Sequence, residues 1–130
     1  MEKDRAGRTQ LVNAIIDGDD ELATTLLGQG ADPDEVDNSG WCALHFAALN
    51  CSKKSVEILI DSGANLDLRD QNGNTPLWRA TMSYRGEDEV ISTLLQAGAN
   101  PDADNNNGIS PRSLANTIAN YDGDRFFEGY

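Results

Sequence analysis

Basic residues are scarce in this sequence. Ten lysines and arginines stand against twenty-two aspartates and glutamates, for a formal charge of −12. That balance disfavours nucleic acid and anionic membrane as partners and favours a basic protein surface. The shortage is regional. No lysine or arginine occurs between Arg8 and Lys53, where Asp17, Asp19, Asp20, Glu21, Asp32, Asp34, Glu35 and Asp37 fall, and none between Arg85 and Arg112. Histidine is scarcer still. His45 is alone, with no second base beside it in a pocket-forming pattern, which leaves no general acid–base pair. The two cysteines, Cys42 and Cys51, bracket one short segment. On a helix their Cα atoms would be about 13 Å apart, beyond disulfide reach. Two free, mostly buried thiols suit a reducing compartment, and with His45 they lack zinc-site spacing. Long apolar runs are missing too. The opening MEKDRAGRTQ has no secretion-signal core and no stretch approaches a membrane span, so the chain reads as soluble and cytoplasmic. Neither a phosphate-cradling glycine loop nor a nucleophile elbow occurs. The chain is therefore read as no enzyme, with no cofactor and no metal.

What is present is a repeat. Gly7, Gly40 and Gly73 are spaced by 33 residues, as are Leu11, Leu44 and Leu77. The pair Gly30-Ala31 recurs as Gly63-Ala64 and Gly98-Ala99. A fixed period of this size predicts a stacked array whose units cannot bury their apolar faces alone. In the best-formed unit, residues 37–69, the turn formers Asp37-Asn38-Ser39 lead into Gly40, where a tight hairpin needs positive φ. Cys42 to Leu49 then reads as a short helix, whose Ala47 and Ala48 admit a close neighbour. Ser55 to Ile60 gives a second helix with Val56, Ile58, Leu59 and Ile60 as its apolar stripe. Gly63 ends it as a left-handed cap.

The stretch Asp70-Gln71-Asn72-Gly73-Asn74-Thr75-Pro76-Leu77, closed by Leu94-Leu95-Gln96-Ala97-Gly98-Ala99-Asn100, resembles an ankyrin repeat. The resemblance runs from about Asp4 to Ala119. It implies an all-α solenoid of about four helix-turn-helix units joined by short β-hairpins, in one domain over residues 1–130. The units are 4–36, 37–69, 70–104 and 105–130. Departures are local. Gln10 stands in the family's proline position and Trp78 in its histidine position. Unit three carries two extra residues around Tyr84-Arg85, and Arg112 replaces a leucine. The second helix of unit four is missing or stunted. The core is expected from Val12, Ala14, Ile15, Ile16, Leu22, Ala23, Leu26 and Leu27 in unit one, from Leu77, Ala80, Val90, Ile91, Leu94 and Leu95 in unit three, and from Leu114, Ala115, Ile118 and Ala119 in unit four. The insertion Ser83-Tyr84-Arg85-Gly86 should bulge between helices. Phe126, Phe127 and Tyr130 of the tail should fold back as a cap. Asp102 to Gly108 resembles the start of a calcium loop, but its glycine falls one place late and Ser113 stands where glutamate is needed.

The family meets partners through hairpin tips and the first helix of each unit. Carried over by position, that places Trp41, Asn74 and Ile109 just after each hairpin glycine, with Trp41 as the anchor. Phe46 and Arg79 share the next position, expected to look toward the concave side. Asp34, Glu35, Asp37, Asp67, Asp70, Asp102 and Asp104 should line an acidic groove beside Trp41. The function expected is that of a monomeric module binding a basic protein. The most concrete form is an immunity protein that neutralises a nuclease-like toxin, motivated by the acidic charge and by a chain that starts at methionine with no second domain. The alternative is a scaffold or adaptor module without inhibitory role. A competing surface is the acidic turn of Asp17, Asp19, Asp20 and Glu21.

Overall fold

Helices in this protein begin where a side chain can take up a free backbone amide. The computed structural model describes residues 3–84, 89–118 and 127–130. Thr9 caps α1 (Gln10–Ile16), Asp19 caps α2 (Asp20–Gly28) and Ser52 caps α4 (Lys53–Asp61), each accepting from the amide three residues on. Thr75 and Ser110 do the same for α5 (Pro76–Met82) and α7 (Pro111–Thr117), both of which start on proline. α3 (Ala43–Leu49) opens on a cysteine, and His45 completes a capping box there: the Cys42 amide donates to His45 Nδ1 at 3.1 Å. α6 (Glu89–Gln96) begins beside residues outside those described.

The odd-numbered helices α1, α3, α5 and α7 pack in succession as one layer, and α2, α4 and α6 form the second. Leu11, Leu44 and Leu77 recur at one register and are all buried between the layers. Ala47 and Ala48 have no exposed surface, which is the close approach their small side chains permit. Burying a leucine or valine contributes about 1.5–3 kcal/mol, and the apolar faces of successive units supply one continuous core. Leu22 is the exception among the expected core residues, at 43% exposed. Its register mates Ser55 and Val90 are covered by a preceding unit that residue 22 lacks.

The connecting loops are not β-hairpins: no strand occurs among the described residues. Each loop instead has one main-chain bond of a hairpin pair, Asp37 N–H to Trp41 O at 2.9 Å and Asp70 N–H to Asn74 O at 3.0 Å, and one turn bond, Gly40 N–H to Asp37 O at 3.0 Å and Gly73 N–H to Asp70 O at 2.8 Å. The bond a ladder would add is made by a carboxylate. Asp37 Oδ1 accepts from the Ser39 and Trp41 amides, and Asp70 Oδ1 from those of Asn72 and Asn74. Successive loops are stitched by one further main-chain bond each, such as Gln71 N–H to Ser39 O. Gly40 shows why glycine recurs here: φ is +80°, and a Cβ would meet Gln71 N at 3.0 Å.

Two expectations need correction. Cys51 is exposed rather than buried, because it holds the left-handed turn after α3 (φ +54°), with its Sγ 3.4 Å from Ser83 O. Tyr84 of the insertion packs against the core instead of bulging away, while Arg85 and Gly86 lie outside the described residues. Ala119, Phe126 and the region of a second helix in unit four also lie outside them. Phe127 is fully buried, whereas the Tyr130 side chain is exposed. Arg112, in its leucine slot, reaches outward to Asp102 at 2.8 Å and donates to the Phe127 and Tyr130 carbonyls.

Candidate functional site

Asn13, Phe46 and Arg79 occupy one register on the inner helices, and their chemistry decides what the surface looks like. Asn13 donates to Asp4 Oδ2 at 3.2 Å, and Arg79 Nη2 to Asp70 Oδ2 at 2.9 Å, each reaching the carboxylate that closes its own loop. Phe46 has no donor, so Asp37 is approached instead by Arg8 from the preceding loop, at 3.7 Å. A stack of rings and guanidinium groups results. Arg8 lies over Phe46 (5.3 Å), Phe46 meets Trp41 (4.8 Å), and Arg79 lies over Trp41 (4.4 Å) and Trp78 (5.2 Å). Each cation–ring contact contributes about 0.5–2 kcal/mol. Trp41 is therefore not a free ring projecting from a fingertip: it is partly buried, with Phe46 and the Arg79 guanidinium against it.

Most of the acids expected to line a groove have internal work. Asp37 and Asp70 close their own loops, and their side chains are 5% and 0% exposed. Asp34 Oδ1 accepts from the Asn65 amide (2.8 Å) and Asp67 Oδ1 from the Asn100 amide (3.0 Å), so both tie one unit to the next. Asp102 pairs with Arg112. Asn74 is buried: its carbonyl meets His45 Nε2 at 2.7 Å and its side chain accepts from Asn105, so it does not face outward as its register suggested. Glu35, whose nearest cation is Lys3 at 3.8 Å, and Asp104 stay exposed at the loop tips, as does Ile109. The sequence could have told these classes apart. Asp37 and Asp70 sit three residues before the loop glycine, which marks the loop-closing slot, whereas Glu35 does not.

The residues that sequence reasoning missed are apolar. Leu49 and Met82 are the last residues of α3 and α5, one repeat apart, and are 41% and 58% exposed. Ile16, the last residue of α1, continues the column, packed partly against the core. The signal was available as three large apolar residues at one register, each two places after the recurring alanine at 14, 47 and 80.

His45 and Cys42 touch, at 3.2 Å, but form no reactive pair. Burial pushes the Cys42 thiol up to about 11 and holds the His45 imidazole below its usual value. Nδ1 accepts from the Cys42 amide and Nε2 donates to the Asn74 carbonyl, so no ring nitrogen is left for catalysis. Among the described residues no cluster of three or more His, Cys, Asp or Glu side chains could hold a metal, and no helix is long and apolar enough to cross a membrane.

Stacked helix pairs with a ridge of loops define a repeat-array protein whose chemistry is recognition. The model of the ankyrin repeat family (three copies) matches residues 11–105, and the chain belongs to that family. It is 32% identical over 114 residues to a putative ankyrin repeat-containing protein of Treponema pallidum, covering 87% of this chain and 38% of that one. It is 34% identical over 96 residues to human ankyrin repeat and SOCS box protein 2 (73% and 15%), and 36% identical over 103 residues to the E3 ubiquitin-protein ligase KEG of Arabidopsis thaliana (78% and 6%). The chain thus spans less than two-fifths of these relatives' lengths. Membership makes it a protein–protein interaction module, a family role that is generally non-enzymatic.

Proposed function

We propose that this protein binds a basic protein through the inner-helix face and the loop tips, and that by covering the partner's surface it neutralises it, as an immunity protein would a nuclease-like toxin. The observation that carries the binding reading is the side-by-side exposure of Leu49 and Met82, large apolar side chains that cost free energy in water. The net charge of −12 supports a basic partner, through steered encounter and rejection of acidic surfaces. Two free thiols suit cytoplasmic action, and like charge on two copies supports a monomer. Photocrosslinking from position 82 in a lysate of the source cell tests the reading. Expected is capture of a basic protein, weakened by salt and by the double reversal Glu35→Lys and Asp104→Lys. Capture of an acidic protein, or capture from the α2 face alone, would overturn it. The captured partner, assayed with and without this protein, separates neutralisation from a second reading. That reading is a scaffold segment, favoured by the alignment of the chain to short portions of longer proteins.

A further inference from the structure

The column Ile16, Leu49 and Met82 has a spacing as well as a chemistry. Each residue ends an inner helix, and α1, α3 and α5 pack side by side. Packed helices lie about 8–10 Å apart, so the column repeats at about that interval. An α-helix advances about 10.5 Å in seven residues and returns to nearly the same face, since two turns take about 7.2 residues. An extended strand advances about 10 Å in three residues, but an odd step turns the side chain to the opposite face. Polyproline II, at about 9.3 Å per three residues, matches the interval, yet such segments dock between open aromatic rings. Here Phe46, Trp41 and Trp78 already carry Arg8 and Arg79 on their faces.

Charge sets the sign of the ligand, not its orientation. Exposed Glu35, Asp67 and Asp104 stand beside exposed Arg69 on the loop edge, and exposed Asp19 and Glu21 beside exposed Lys53 and Lys54 where α2 and α4 begin, in a chain of net charge −12. Resting on the reading above, we infer that the partner element is an amphipathic α-helix laid along the array. Its apolar residues repeat every seven positions against Ile16, Leu49 and Met82, and its polar face is basic. Thr117 ends the apolar column at α7, which limits the contact to about three apolar positions, or a helix of about 15–20 residues.

The test uses three synthetic peptides of equal length and charge, titrated into the full chain. One carries leucine every seventh position with lysines on its polar face, one has the same composition scrambled, and one is a proline-rich segment with leucine every third position. The heptad peptide should bind at least about ten-fold more tightly than either control and gain helix on binding. Leu49→Asp and Met82→Asp should each weaken it about ten-fold or more, with Leu22→Asp neutral. All three positions are exposed, so circular dichroism should show the fold intact in each variant. Equal binding of heptad and scrambled peptides would leave a basic partner standing and overturn the helix. Tighter binding of the proline-rich peptide, loss through Leu22→Asp alone, or no binding by any peptide would overturn it as well.

Discussion

His45 spends both ring nitrogens inside the protein, on the Cys42 amide and on the Asn74 carbonyl of the next unit. Burial holds its folded-state pKa below the ordinary value of 6.5. As pH falls through 6.5 the unfolded chain takes up a proton before the folded one does, so stability must decline there and recover above it. Urea midpoints between pH 8 and 5 should show that decline, and His45→Gln should flatten it; a midpoint independent of pH would refute it. Carboxylates divide at the same scale. Asp37→Ala removes the acceptor of two loop amides and should cost about 1–3 kcal/mol, whereas Glu35→Ala, at the exposed tip, should stay within about 0.5 kcal/mol. Equal melting temperatures for the two variants would mean the loop-closing bonds contribute nothing.

The helices were legible in the sequence because the periodicities that mark them also bury them. Leu94 shows this in α6: expected as core from its register, it has no exposed surface. Leu94→Ala should cost about 2–5 kcal/mol by denaturant unfolding, and a loss under about 0.5 kcal/mol would contradict that packing. The loops were less legible. Turn formers before a glycine signal a hairpin equally well whether main chain or an aspartate side chain supplies the second bond, and Asp37 and Asp70 supply it here. The candidate site was read least well for a related reason. Exposure at Leu49 and Met82 depends on where the inner helices stop, a boundary that periodicity fixes only to within a few residues.

Among the described residues the main helix contacts join elements of one unit or of adjacent units, so the ends of the array determine how it frays. Phe127 is buried and Arg112 ties the last residues to Asp102. Ending the chain after Ile118 should therefore lower the melting temperature while partner specificity persists. Unchanged stability with lost binding would instead make the tail a contact surface. Along the loop tips, charge acts at range. Lysine at both Glu35 and Asp104 should slow association with a basic partner and weaken its salt dependence, since exposed charges are screened beyond about 8 Å at physiological ionic strength. Leu49→Ala and Met82→Ala should act on dissociation, and surface plasmon resonance at two salt concentrations separates the two effects.

The chain's two thiols differ in access by a whole folding transition. Cys51 stands in the open at the turn after Leu49, while Cys42 is sealed beneath His45 with its proton held up to about 11. A thiol-reactive dye added to the native protein should therefore attach once, at the edge of the apolar column, where a docking helix would change its emission. A second attachment can occur only in molecules that have opened unit two. The mass spectrum of a labelling time course then counts opening events directly, and bound partner should slow the second label without blocking the first.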